Sequence, residues 1–127
     1  GLCPSAPTGG AISRARFAVE GRWAVHRWLP ELRENLPDVI HAHLSFPAVW
    51  IASRAAQALG VPWVVHALGG PADRVLSSAR GMRDLGKLIG AASGASASSE
   101  RGLRALEPWI RPGAARAVIP PGVDPVE

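Results

Sequence analysis

Between Pro37 and Gly70 the chain reads PDVIHAHLSFPAVWIASRAAQALGVPWVVHALGG, and its hydrophobic period changes twice within that stretch. Asp38 to Ala42 is a short apolar run with β-branched Val39 and Ile40, preceded by Pro37 and followed by a polar turn, as a buried parallel strand requires. Ser45 is placed to cap a helix with Phe46 and Pro47 in its first turn, where a missing backbone donor costs nothing. Val49, Ala52, Ala56 and Leu59 recur at helical spacing, with Ser53, Arg54 and Gln57 on the other side. Gly60 supplies a left-handed stop, and Val61 to Val65 is the next strand. The unit is βαβ with a right-handed crossover. Ligands of such sheets sit beyond the carboxyl ends of the strands, so the working edge is expected at His41, His43, His66, Gly69 and Gly70.

Around this unit, 127 residues are enough for one domain with a real core and too few for two. An apolar fraction of 47% against 19% charged residues excludes a disordered tail. The net charge of +4 favours anionic partners, among them nucleotide phosphates, nucleic acid and an acidic membrane face, without choosing between them. A single cysteine, Cys3, excludes an internal disulfide and a cysteine metal site. Arginines interrupt every helix candidate before it reaches the length of a membrane span. The chain starts at Gly1 without a charged-then-apolar leader, and is read as a piece of something longer.

The organisation expected along the chain is a loop over residues 1–10, an α/β core over 11–119 and the start of a linker over 120–127. From Ser13 to Leu29, Phe17, Gly21, Ala24, Val25 and Trp28 share one helical face, with Arg16, Glu20 and Arg27 opposite. Pro30 is expected to end or restart that helix, leaving Glu31 to Leu36 for another turn or two. After the βαβ unit, Arg80 to Ile89 has helical character diluted by Gly81, Gly86 and Gly90. Ala95 to Ser98 reads as a strand of small residues that permits close approach of its neighbours. Ser99 is an N-cap with Glu100 in the first turn, Leu103 and Leu106 supply a buried face, and Pro108 limits the helix. Ala117 to Ile119 is the last strand, and IPPGVD is a rigid turn leaving the sheet.

The titratable chemistry near neutral pH rests with four histidines. His41 and His43, two apart on a strand, share a face and suggest a metal pair, but no third ligand stands at a convincing spacing. His43 is placed to touch a ligand at the strand end, or equally to bond backbone there; His26 reads as surface. Gly69 and Gly70 suit a loop whose amides approach a phosphate or sugar, with Asp73 the nearest carboxylate unless it merely caps a helix. There is no GxSxG nucleophile elbow and no P-loop. Arg14, Arg16, Arg22, Arg27 and Arg33, interleaved with Trp23 and Trp28, form either an acidic-membrane contact or an ordinary solvated helix face.

Taken together, PDVIHAH, the helix ending ALGVP, the strand VPWVV leading to GG, ASASSERGLRAL and VIPPGVD resemble, in order and spacing, the family 4 glycosyltransferases of the GT-B fold. The usual family wording is close to PDVIHAH, LGIP, VVTxHG, ADAVIAVSE and VIPNGVD. The resemblance covers most of the chain from Pro37 to Asp124. It implies the later part of a Rossmann-like, three-layer N-terminal half on the acceptor side of a two-domain enzyme. Such enzymes transfer a sugar from a nucleotide-sugar donor with retention and without a metal or other cofactor, and the donor is held mainly by the other half. The implied cleft residues are His43, Gly69, Gly70 and Asp73, and the implied interdomain hinge is Pro120, Pro121, Gly122 and Asp124. The family often has His directly before the Gly of its second loop; here Leu68 stands there and His66 lies two residues deeper on the same face, so the role of that His does not carry over by position, and the catalytic residue is left unknown with His66 as a weak candidate. Pro121 replaces the Asn of IPNGVD, which stiffens the hinge, and Ser93 replaces the Asp of ADAVIA. The expected setting is cytoplasmic with no nucleic-acid partner, and the basic first helix leaves open a peripheral contact with an acidic membrane or a lipid-linked acceptor. Two rival classes are a non-catalytic basic α/β module binding nucleic acid, with strong salt dependence on any DNA or RNA, or an acidic membrane surface, and a GT-B sugar-nucleotide epimerase fragment, which would need cleft carboxylates where only Asp73 offers itself.

Overall fold

A computed structural model describes residues 11–68 and 79–121. The order of elements is α1 (Ala11–Glu34), β1 (Ile40–His43), α2 (Phe46–Leu59), β2 (Trp63–Ala67), α3 (Ala79–Ile89), β3 (Gly94–Ala97), α4 (Glu100–Leu106), a single 3-10 turn over Glu107–Trp109, and β4 (Ala115–Val118). The four strands form one sheet in chain order, every neighbouring pair parallel. This is the α/β class expected from the alternation of periods, and each strand lies within two residues of its expected bounds.

The local signals act as their chemistry dictates. Ser45 is extended (φ −150°, ψ 155°) and its hydroxyl accepts from the Ala48 amide, while Gly60 closes α2 at φ 70° and donates to the Ala56 carbonyl. Ser99 caps α4 in the same way through the Gly102 amide at 3.1 Å. Strand order following chain order, with each crossover of one hand, places successive helices on the same face of the sheet. The core agrees: Ala42, Trp63, Val65, Ala67, Ala95 and Ala97, which the register puts on one face of the sheet, cluster with Val49, Ala52 and Ala56 of α2, Leu85 and Ile89 of α3, and Leu106 of α4. The small residues of β3 do permit close approach, since a Cβ placed on Gly102 would lie 3.2 Å from that of Ala97.

Helix α2 carries a second buried face that its sheet-facing periodicity did not reveal. Trp50, Ile51 and Ala55 cluster with Val25 and Leu29 of α1, so α2 is sandwiched between the sheet and α1. Gly21 is needed at that contact, because a Cβ there would come within 2.6 Å of the Trp50 ring. Pro30 does not break α1, contrary to the sequence expectation, and the helix runs unbroken to Glu34. Pro30 and His26, whose carbonyl loses its partner, are both exposed, so water can satisfy that carbonyl. Leu29, buried against α2 one residue before the proline, holds the helix in line.

Candidate functional site at the carboxyl ends of the strands

Because every strand runs the same way, His43, Ala67, Ala97 and Val118 end at one edge. The ladder continues one residue further, with the Leu44 amide donating to the His66 carbonyl (2.9 Å), Ser98 to Ala67 (3.0 Å) and Ile119 to Ala97 (2.8 Å). The loops beyond these bonds therefore leave the sheet side by side. Leu68, Ile119, Pro120 and Pro121 are exposed there.

The register decides which side chains meet. His43 pairs with His66 and His66 with Ser96, and paired residues of a parallel sheet share a face. That face carries His41, His43, Val64, His66, Ser96, Ala115 and Ala117, opposite the core, and no described helix covers it. The His41 and His43 rings stack with centroids 5.3 Å apart, and both stand edge-on to His66 at 6.0 and 6.2 Å. His66 Nδ1 shares a 2.8 Å hydrogen bond with Ser96 Oγ, which fixes the ring plane and leaves Nε2 for another partner. Partial burial, and then the charges of His41 and His43 when protonated, hold the His66 imidazole below its ordinary value of 6.5.

Three imidazoles grouped on one face offer ring nitrogens able to donate and to accept, a set suited to hydroxyl-rich ligands. The sequence puts His41 and His43 on one face and His66 at the same working edge; the register brings His66, from the neighbouring strand, onto that face. No group of three His, Cys, Asp or Glu side chains among the described residues has the arrangement to hold a metal ion. Ser96 was read as a small sheet residue, and only the pairing of β2 with β3 shows it as the partner of His66. Gly69, Gly70, Asp73, Gly122 and Asp124 lie outside the described residues; Pro120 and Pro121 follow β4 at the same edge.

Two other concavities lie away from this edge. One of about 410 Å³ opens at the amino ends of the strands, lined by Ser53, Gln57, Trp63, Ser93 and Arg111 among others, and is taken up below. The other lies between α1 and α2. No helix among the described residues is long and apolar enough to cross a membrane.

A family model described as a glycosyl transferase 4-like domain matches residues 3–122 of the chain. No curated protein gives a significant match.

Proposed function

Since the chain belongs to the glycosyl transferase 4-like family, we propose that it forms the acceptor side of a retaining, GT-B-type sugar transferase whose nucleotide-sugar donor is held by a second half. The observation that carries this reading is the meeting of His41, His43 and His66 on one open face at the carboxyl edge of an all-parallel sheet. Imidazole nitrogens at that place can hydrogen-bond sugar hydroxyls, and His43, at the strand end, is nearest the loops.

In this reading His43, Gly69, Gly70 and Asp73 line the acceptor cleft, and His66, oriented by Ser96, is the catalytic candidate. Pro120, Pro121, Gly122 and Asp124 form the hinge toward the donor half. The reaction needs no metal, and the enzyme works at the cytoplasmic side. The described residues at this edge include no arginine or lysine paired with carboxylates to grip a diphosphate, which supports a donor site elsewhere. Calorimetric titration of the chain with nucleotide sugars tests the division of labour. Little heat is expected, whereas micromolar binding would put the donor site in this half and overturn the proposal.

A further inference from the structure

The concavity at the amino ends of the strands, about 410 Å³, is walled by Ser53 and Gln57 of α2, by the turn from Gly60 to Trp63, by Ser93 ahead of β3 and by Arg111 ahead of β4. It lies on the helix side of the sheet and at the edge away from the histidine cluster. Ala56, Val61 and Trp63 give it an apolar floor. Its volume is within the range of sites that hold small organic ligands.

Among the described residues, Arg111 is the only charged side chain in the lining. Its guanidinium, the Gln57 amide and the hydroxyls of half-buried Ser53 and Ser93 have no partner among those residues. The backbone behind them is fixed. The Ser93 amide donates to the Trp63 carbonyl at 2.8 Å, and the Arg111 carbonyl accepts from the Ala114 amide at 3.2 Å. Unused donors and acceptors therefore converge on one concavity from a frame that needs no rearrangement to present them.

The electrostatics select the ligand. Helices α2 and α3 run against the strands, so both end at this edge, and each carbonyl terminus is equivalent to about half a negative charge. In α2 the amides of Gly60 and Val61 both donate to the Ala56 carbonyl, at 2.8 and 3.2 Å, which leaves the carbonyls of Gln57, Ala58 and Leu59 without a backbone partner among the described residues. A Cβ placed on Gly60 would meet nothing within 4 Å, so the approach to that turn is open. Two helix ends roughly cancel one guanidinium, so a dianion gains little here, whereas a molecule bearing both charges gains at both poles. We infer that this concavity binds a free α-amino acid with an apolar side chain. Its carboxylate lies on the guanidinium fork of Arg111 beside Ser93, its ammonium on the carbonyl end of α2, and its side chain on the floor of Ala56, Val61 and Trp63. This inference stands apart from the reading of the histidine edge, since neither set of residues takes part in the other.

Amide chemical-shift titration of the 127-residue chain with L-leucine tests it. Saturable movement is expected at Gly60, Ser93 and Arg111, while Leu44 and Ser98 at the histidine edge stay still. Leucinamide, which lacks the carboxylate, and N-acetyl-leucine, which lacks the ammonium, each give up a charge-assisted contact and should bind at least about tenfold more weakly. Arg111→Ala should lose a similar factor with an unchanged urea-unfolding midpoint, because the side chain is exposed and the fold bonds only its backbone. Arg101→Ala, which removes the same charge from α4, should bind leucine as the parent does. The inference is overturned by the absence of saturable movement, by equal affinity for N-acetyl-leucine or leucinamide, or by undiminished binding in Arg111→Ala. Inorganic phosphate moving the same amides at equal or lower concentration would show a general anion site instead, and that result also overturns it.

Discussion

Gly86→Ala is a substitution whose sign depends on one neighbour. Alanine is favoured over glycine inside a helix by about 1 kcal/mol, so on propensity alone the change should stabilise α3. The packing says otherwise. A Cβ at position 86 would lie 2.1 Å from Cε3, 2.4 Å from Cζ3 and 2.9 Å from Cδ2 of Trp109. Carbon atoms pack comfortably at about 3.5 Å or more, so the indole must retreat by roughly 1.4 Å or swing away. The backbone of Trp109 is fixed in the 3-10 turn between Pro108 and buried Ile110, whose amide is tied to the Glu107 carbonyl at 3.2 Å, so the 38% exposed ring yields only by swinging outward and giving up its contact with α3. Overfilling of this kind costs about 1–3 kcal/mol, which outweighs or cancels the helical gain and gives a net loss of roughly 0–2 kcal/mol. In a Trp109→Ala background the obstruction is gone and the same substitution should stabilise by about 1 kcal/mol. Urea unfolding of the four proteins closes a double-mutant cycle, with an expected coupling of about 1–3 kcal/mol. Stabilisation by Gly86→Ala of equal size in both backgrounds would show that the indole does not press on α3, and the reasoning would fail.

Ser99→Ala removes the acceptor for the Gly102 amide at the start of a helix of only 7 residues, and should cost about 0.5–2 kcal/mol in urea unfolding. A change smaller than that range would mean that water satisfies the amide equally well. His66 should make the fold acid-sensitive in a defined direction. Its folded pKa is depressed, so the unfolded chain binds the proton more readily, and stability is lost as pH falls below 6.5 and on through the lower folded value. An NMR titration should place the His66 midpoint below 6.5, and His66→Asn should flatten the stability profile just under that pH. A His66 midpoint at or above 6.5 would contradict the clustering of the three rings.

How legible all this was in the sequence follows from how local each determinant is. Caps at Ser45 and Ser99 and the stop at Gly60 depend on a few neighbouring residues, and they appear where the residue types put them. The sheet-facing stripe Val49, Ala52 and Ala56 is legible for the same reason, whereas Leu59, expected in it, packs against the α1 side. The second face of α2 is not, because Trp50, Ile51 and Ala55 interleave with that stripe and a helix apolar nearly all round has no single period. Pro30 misled because the rule for prolines inside helices weighs the lost hydrogen bond and the steric clash, and omits the packing of α1 on α2. At the candidate site, residue parity put His41 and His43 together. Their meeting with His66, and the bond from His66 to Ser96, depend on strand register, which no single segment encodes.

Amide and imidazole chemical-shift mapping of the chain with a panel of methyl glycosides tests most directly whether the carboxyl edge is the sugar-acceptor wall. The account predicts that the His43 and His66 ring signals and the amides of Leu44, Leu68 and Ser98 move together, while those of Ser53, Trp63, Ser93 and Arg111 at the opposite edge stay still. Movement at the opposite edge with the two imidazoles unaffected would contradict it.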